Sequence, residues 1–258
     1  MKRVWGRSGV FVAVTVVVAA CIDLSTDPDE IVAIEFTQLP WPSIVAGDTL
    51  RDALGAAAPL VARLFDGDGD EVTGSVEFLP QNTSVRVIGG NRLVADDTAT
   101  GKVGIIASTA GLQSVAREID IVPAPDSMAA NGTVTPLAWV VPDDPALNTS
   151  QPLGVRVLST ADTIPEGVGS WIVRFTLEAG GRLIPESDTT QIFLVGDNGR
   201  PSYADTTDAQ GGASRRVRLR VSPGSVAPDS AVITMSASYR GVPLVGSPVK
   251  LVLPLRRG

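Results

Sequence analysis

The acidic run Asp66-Gly67-Asp68-Gly69-Asp70-Glu71 is the densest group of metal-binding side chains in the sequence. Carboxylates at alternate positions are typical of an EF-hand loop, in which hard oxygen ligands surround Ca²⁺. This spacing makes Asp66, Asp68 and Asp70 candidate ligands of a structural calcium ion. However, Glu71 stands where that loop requires glycine for its sharp turn. The alternative is a tight hairpin turn, in which Asp and Gly supply the backbone angles.

Two further acid pairs, Asp143-Asp144 and Asp205/Asp208, have the residue types that glycoside hydrolysis uses. That reaction needs two carboxylates about 5 to 10 Å apart, one of them with a raised pKa. Both pairs stand among turn-forming residues, and no apolar pocket beside them is evident. We therefore expect solvated loop acids, and an enzyme that uses either pair is the weakest hypothesis.

Arginine recurs at Arg216, Arg218 and Arg220, which places three guanidinium groups on one strand face at intervals of roughly 7 Å. Such a stripe could bind an anionic polymer, for example a polysaccharide or a lipid head group. The alternative is a solvent-facing stripe paired with cross-strand acids, which would also discourage edge-to-edge aggregation. Trp41 stands between two prolines, and we expect it to be exposed as a further ligand-binding residue that stacks on sugar rings.

The composition excludes several functions, because the 258 residues include no histidine and one cysteine. Without histidine there is no Ser-His-Asp triad, no Cys-His pair and no imidazole ligand for zinc. A single cysteine cannot form an internal disulfide or a CxxC site. The formal net charge of −7 argues against nucleic acid, since phosphate contacts need a basic face. We expect no catalytic activity, no nucleic-acid partner and no cofactor apart from the calcium ion considered above.

The first 21 residues have the pattern of a targeting segment. A basic start precedes an apolar run over residues 10–20, which is shorter than the roughly 20 residues that cross a bilayer. The run ends in Val18-Ala19-Ala20-Cys21, which resembles the lipobox of bacterial lipoproteins. That resemblance implies a signal peptide over 1–20, cleavage before Cys21 and lipidation of Cys21 by several acyl chains. The alternative is an ordinary secretory signal in which Cys21 is incidental. By the same resemblance, Ile22 in place of Asp implies sorting to the outer membrane, and residues 21–30 form an acidic tether.

One-sided strand patterns dominate the rest of the chain. Residues 171–178, 216–221, 233–239 and 249–253 each place their largest apolar side chains at alternate positions, as half-buried strands do. Gly- and Asn-containing turns separate these runs. Only residues 51–65 are rich in helix formers, but Gly55 and Pro59 interrupt them. We expect a loop or a single helical turn there, leading into a strand, and the sequence predicts an all-β fold.

The domain organisation follows from a Pro-rich stretch at 122–126, which is the best candidate boundary. Loosely similar segments at 95–101 and 204–211 recur at a spacing of roughly 110 residues, the size of one β-sandwich. We predict a first domain at 31–123 and a second at 153–258. Residues 124–152 are predicted to hold a linker and the start of the second module.

The two predicted domains resemble the bacterial immunoglobulin-like domains of invasin- and intimin-type surface proteins. In the first domain the matching segments include Ala46-Gly47-Asp48-Thr49-Leu50 and Phe65-Asp66-Gly67-Asp68-Gly69. In the second they include Thr207-Asp208-Ala209-Gln210-Gly211-Gly212-Ala213 and Tyr239-Arg240-Gly241-Val242-Pro243. The resemblance implies two consecutive immunoglobulin-like β-sandwiches. Because its motifs mark turns and strand starts, it does not indicate a ligand.

These patterns predict a non-catalytic, lipid-anchored protein of the cell envelope, at the outer membrane on its periplasmic or surface face. We expect a structural, adhesive or partner-binding module that contacts the membrane through its lipid and has an envelope protein or a polysaccharide as partner. The alternative is a carbohydrate-binding surface lipoprotein that uses Trp41 and the arginine stripe.

Overall fold

The computed structural model describes residues 30–36, 38–161, 164–224 and 226–258. The predicted signal peptide, the lipobox with Cys21 and almost all of the tether lie outside these residues. Within the described ranges all secondary-structure elements are β-strands, which confirms the all-β prediction. Those ranges contain no helix long and apolar enough to cross a membrane.

The strands fall into two sets that follow one another along the chain. The first set comprises β1 (Ala33–Glu35), β2 (Ser43–Val45), β3 (Arg63–Phe65), β4 (Glu71–Val72), β5 (Glu77–Pro80), β6 (Val85–Ile88), β7 (Arg92–Ala95), β8 (Gly101–Thr109), β9 (Leu112–Gln113) and β10 (Arg117–Val122). The second set begins with β11 (Ser127–Asn131), β12 (Leu137–Trp139), β13 (Leu153–Ser159), β14 (Glu166–Gly167), β15 (Ile172–Ala179), β16 (Arg182–Ile184) and β17 (Ile192–Val195). It ends with β18 (Ala204–Thr206), β19 (Gly212–Leu219), β20 (Ser230–Ser236), β21 (Ser238–Tyr239), β22 (Val242–Pro243) and β23 (Val249–Arg257).

The strand order of the second set is that of an immunoglobulin-like sandwich. One sheet has the order β11-β13-β19-β17, and the other has the order β12-β23-β20-β15-β16. Taken along the chain, these correspond to the A-B-E-D sheet and to a G-F-C sheet of the immunoglobulin fold. β12 runs parallel to β23 at the edge of the second of these sheets, while the other pairs are antiparallel.

The first set repeats this order with shorter strands. Its G-F-C sheet is β2-β10-β8-β5, in which β2 again runs parallel to the last strand, β10. The opposite layer contains β1-β3-β4 and the hairpin β6-β7, which are connected by a bridge between Pro59 and Arg92. Within the described residues no strand of one set pairs with a strand of the other. The chain therefore forms two successive immunoglobulin-like sandwiches.

The alternating patterns mark the core faces of the strands. In β15, Val173, Phe175 and Leu177 are buried while Arg174 and Glu178 are exposed. Strand β20 buries alternate residues in the same way, and β19 does so as far as Val217, after which Arg218 and Leu219 are both buried. Because burial of one large apolar side chain contributes about 1.5–3 kcal/mol, these faces fix the strand registers.

Residues 51–58 form an excursion in an otherwise continuous strand. Leu50 N donates to Leu93 O, and Pro59 forms a bridge to Arg92, so the chain on both sides of the excursion pairs with the same strand, β7. A bridge between Arg51 and Ala57 closes the excursion. The predicted loop is confirmed, and the strand that follows it is β3.

The predicted segment 124–152 belongs in large part to the second sandwich, because β11 pairs with β13 and β12 pairs with β23. The Pro-rich residues 123–126 lie between β10 and β11.

Candidate functional sites: an interdomain junction and an arginine groove

Three aromatic rings meet where the two sandwiches touch. The rings of Trp41 and Trp171 are 5.6 Å apart at an angle of 63°, and those of Trp171 and Tyr239 are 5.9 Å apart at 77°. Edge-to-face pairs of this kind contribute about 0.5–1.5 kcal/mol beyond the area they bury. Our prediction that Trp41 is exposed is wrong. This residue is only 9% exposed, and its ring packs against Trp171 of the second sandwich.

Asp48 is the acidic centre of this junction. Its carboxylate is buried and accepts hydrogen bonds from Arg51 of its own sandwich at 2.7 and 2.8 Å. From the second sandwich it accepts bonds from Tyr239 Oη at 2.7 Å and from Arg240 Nε at 3.1 Å. A buried carboxylate with two guanidinium partners and a phenol is fully paired, which burial of a charge requires.

Two local structures aim these groups at one another. Tyr239 and Arg240 lie at the tip of the β21–β22 hairpin, where Arg240 and Gly241 have φ of 53° and 75°. Two successive positive φ angles are typical of a tight two-residue hairpin turn. Asp48 follows the short turn after β2, and its backbone is fixed by a bond from Ala95 N to its carbonyl oxygen.

Further polar contacts surround the aromatic rings. Ser43 Oγ donates to Ser170 O at 2.8 Å, and the hydroxyl of Ser170 donates in turn to the carboxylate of Asp120. Gly55, at the tip of the excursion, lies directly against the backbone of Arg240 and Gly241. We define the junction as these contacts together with Trp41, Trp171, Tyr239 and Asp48.

The junction shifts the pKa values of its two acids in opposite directions. Burial alone would raise the pKa of Asp48, but hydrogen bonds from Arg51, Arg240 and Tyr239 outweigh it and hold the pKa well below its usual range. For Tyr239, burial and the hydrogen bond to Asp48 raise the pKa to about 12. The folded state therefore favours the Asp48 carboxylate and the neutral Tyr239 phenol.

These directions predict how stability depends on pH. Tyr239 has an ordinary pKa of about 10 when unfolded, so its contribution is fully present below that pH and is lost as pH rises towards about 12. We expect the free energy of unfolding to fall over this window and to fall less in Tyr239→Phe. Urea unfolding at several alkaline pH values measures the difference. An unchanged slope in Tyr239→Phe would show that the phenol does not titrate with folding. Tyr203→Phe is the comparison for a phenol outside the junction, because burial raises the pKa of Tyr203 as well.

The second sandwich has an asparagine at the position that Asp48 holds in the first. Ala95 N donates to Asp48 O, and Leu219 N donates to Asn148 O at the matching place in the sheet. Asn148 is fully buried and its amide bonds to its own loop and to Asp143 instead of to a neighbouring domain. The corner that binds a hairpin in the first sandwich is therefore built differently in the second.

The arginine stripe lies on the outer face of β19 and its continuation, as the alternation predicted. The guanidinium groups line a groove of about 810 Å³ between the loop at 143–151 and the turn at 196–201. Phe193 and Val195 of β17 stand opposite Arg218 and Arg216 in the strand register. We call this the arginine groove.

Two arginines of the groove are held by the protein. Arg218 is buried and binds both carboxylate oxygens of Asp143, at 3.0 and 2.6 Å. Arg220 donates to Thr189 O at 2.8 Å and lies 4.9 Å from the centre of the Phe193 ring. This pairing is not the cross-strand arrangement of the alternative hypothesis, because Asp143 comes from a loop.

The acid pairs do not have the arrangement of a hydrolase. The hydrogen bond from Arg218 lowers the pKa of Asp143, although burial opposes this, whereas a general acid needs a raised pKa. Asp205 forms an ion pair with Arg215 at 2.8 Å, and Asp208 accepts bonds from the backbone of its own turn. Asp144 Oδ1 accepts a hydrogen bond from Ala146 N at 2.8 Å, so each of the four acids is engaged in a local structural contact.

The run Asp66–Asp70 forms the hairpin turn between β3 and β4. Asp66 Oδ1 accepts hydrogen bonds from the backbone N–H groups of Asp68 and Asp70, at 3.0 and 2.9 Å. Among the described residues no group of three or more acids is placed so that it could hold a metal ion. The structure therefore does not bring the predicted calcium ligands Asp66, Asp68 and Asp70 together around one point.

Comparison with known proteins finds no matching family model and no matching curated protein. One similar solved structure is the adhesin InvE of Yersinia pseudotuberculosis, which is 14% identical in sequence; the alignment covers 82% of this chain and 56% of the adhesin chain, with a TM-score of 0.33. Another is domains 4–9 of the surface layer protein SbsC, which is 13% identical; the alignment covers 89% of this chain and 30% of the SbsC chain, with a TM-score of 0.30. A third is a β-glycosidase from Bacteroides vulgatus, which is 15% identical; the alignment covers 69% of this chain and 21% of the glycosidase chain, with a TM-score of 0.27. The chain spans about half the length of the adhesin. Such low TM-scores carry no argument, so the immunoglobulin-like assignment depends on strand order alone.

Proposed function

We propose that this chain is a non-catalytic structural or adhesive module of the bacterial cell envelope, in which two immunoglobulin-like sandwiches act as one rigid unit. The observation that carries the proposal is the junction. A spacer must keep a binding surface at a fixed distance and angle from its anchor, and the junction supplies contacts that resist bending.

The energetic character of the junction supports a rigid connection. Domain interfaces within a chain are commonly polar and permit relative motion unless they are well packed. Here an aromatic stack adjoins a buried, multiply bonded carboxylate, and both need the second sandwich in place. If the domains separated, Asp48 would lose its bonds from Tyr239 and Arg240, and the Trp41 ring would lose its packing against Trp171.

A non-catalytic role is supported by the local engagement of each candidate acid. The carboxylates of Asp143, Asp205 and Asp208 are all hydrogen-bonded to neighbouring groups in turns or strands. The absence of histidine from the whole sequence removes the commonest general base.

Attachment to the membrane is proposed through Cys21. The proposal is supported by the sequence Val18-Ala19-Ala20-Cys21 and by the placement of the chain's single cysteine at the position where a lipobox requires it. A short acidic tether would then join the lipid to the first sandwich. Several acyl chains anchor a protein durably, whereas one chain binds only marginally.

Cell fractionation tests the anchor. We expect the wild-type protein in the outer-membrane fraction and the Cys21→Ala protein in the soluble fraction of the envelope, because removal of the thiol removes the lipid. Cys21→Ser serves as a second variant with a hydroxyl of similar size. Membrane association that is unchanged in both variants, or a wild-type protein that stays soluble, would contradict lipidation at Cys21.

A further inference from the structure

The arginine groove contains one guanidinium group that the protein leaves without a partner. Arg216 lies at one end of the stripe, next to Arg218, and its Nε is buried without a hydrogen-bond partner among the described residues. Nor does any described acid form an ion pair with Arg216. An unsatisfied buried donor costs about 1–3 kcal/mol, more when it is charged.

The surroundings hold the other donors of the groove in place. Asp143 fixes Arg218 from one side, and Phe193 lies beneath the guanidinium group of Arg220. Thr149 and Gln151 line the same groove and add neutral polar groups. A planar guanidinium group that is already oriented loses little entropy when it binds a carboxylate.

The chemistry of the groove favours a saccharide over a protein surface. The central parts of protein interfaces are apolar and poor in charged residues, whereas the large apolar side chains here, Phe193 and Val195, are 2% and 4% exposed and already covered. The accessible lining combines guanidinium, hydroxyl and amide groups with the exposed side chains of Pro145, Ala146 and Pro201 and with the carboxylate of Asp197 at the turn. Hydroxyl groups and a carboxylate would match these donors and acceptors.

We propose that the arginine groove binds an acidic polysaccharide, with one carboxylate of the polymer on Arg216. Arg216 supplies the unpaired cation and Arg220 adds positive potential, whereas the charge of Arg218 is balanced by Asp143. Arg216 and Arg220 are about 13 Å apart along the strand, which suits a polymer that carries charge at regular intervals. The inference deepens the proposed function by naming a partner of the envelope module.

Binding of polygalacturonate to the purified full chain tests the proposal, with dextran as the uncharged control. We expect isothermal titration calorimetry to detect binding of polygalacturonate and none of dextran. Arg216→Ala is expected to weaken binding by about tenfold or more, since a hydrogen bond to a charged group contributes roughly 1.5–3 kcal/mol. The matched control is Arg256→Ala, an exposed arginine on β23 that removes the same charge from the same sandwich.

Each alternative outcome overturns the proposal. Equal weakening by Arg216→Ala and Arg256→Ala would indicate a general charge effect instead of a site. Equal or tighter binding of poly-glutamate would point to an acidic protein partner, and equal binding of anionic phosphatidylglycerol vesicles would point to lipid. Arg216→Lys keeps the positive charge but loses the planar guanidinium group. We expect this variant to fold normally and to bind polygalacturonate more weakly than the wild type. A lack of binding would leave the junction and the lipid anchor unaffected, since these are measured independently.

Discussion

Replacement of Asp48 with alanine is expected to lower the free energy of unfolding by about 2 kcal/mol. The substitution removes the common acceptor of Arg51, Tyr239 and Arg240, of which only the Arg240 side chain is largely exposed to water. We expect chemical denaturation to change from one transition to two, because the sandwiches would no longer unfold together. Tryptophan fluorescence should report the change directly, since Trp41 and Trp171 lie in the junction.

The control for this substitution is a second ion-paired acid in the same sandwich. Asp96 pairs with Arg86 at 2.5 Å, but both side chains are about half exposed. Exposed pairs contribute at most about 1 kcal/mol, so Asp96→Ala should leave a single transition. Asp48→Asn keeps the shape of the side chain and one acceptor oxygen, so its loss of stability should lie between those of Asp48→Ala and Asp96→Ala. A single transition and equal stability losses for Asp48→Ala and Asp96→Ala would refute the role of Asp48.

Gly55→Ala is expected to separate the sandwiches although it deletes no polar side chain. A Cβ at this position would lie 2.5 Å from the carbonyl carbon of Arg240 and closer still to the backbone nitrogen of Gly241. Both neighbours are backbone atoms of a tight hairpin, so they cannot rotate away. We expect the distances between spin labels placed on the two sandwiches to become broadly distributed, as measured by double electron–electron resonance.

The structure offers a closely matched control for this substitution. Gly111 has φ of +82°, almost the same as the +83° of Gly55, but a Cβ there meets no atom within 4 Å. Both alanine substitutions impose the same backbone strain, roughly 1–2 kcal/mol. Only Gly55→Ala should alter the distances between the sandwiches. If both variants kept the wild-type distribution, the close approach at Gly55 would not determine the arrangement.

The strands and most of their faces could be predicted from the sequence, because alternation is a local property. Val173, Phe175 and Leu177 follow it and are buried. The rule also has an exception that local pattern does not reveal. Arg215 lies on the core-facing side of β19, yet it is accommodated by an ion pair with Asp205 and by the ring of Phe175 at 5.6 Å.

The junction could not be predicted, because its partners are distant in the sequence. The segments Ala46-Gly47-Asp48-Thr49-Leu50 and Tyr239-Arg240-Gly241-Val242-Pro243 are both evident as family-like motifs. That they meet in space, with Asp48 bonded to Tyr239, depends on the relative placement of two folded domains. The same placement explains why Trp41 is buried although its flanking prolines indicate a loop.

The central claim is that the two sandwiches form one rigid unit. Its most direct test is the distribution of distances between labels on the two sandwiches of a protein with the wild-type junction. Nitroxide labels at Glu77→Cys in the first sandwich and Glu178→Cys in the second, with Cys21→Ser to remove the native thiol, lie on exposed strand positions. Double electron–electron resonance should give one narrow distance peak. A broad or multimodal distribution, indistinguishable from that of Gly55→Ala, would contradict the rigid arrangement.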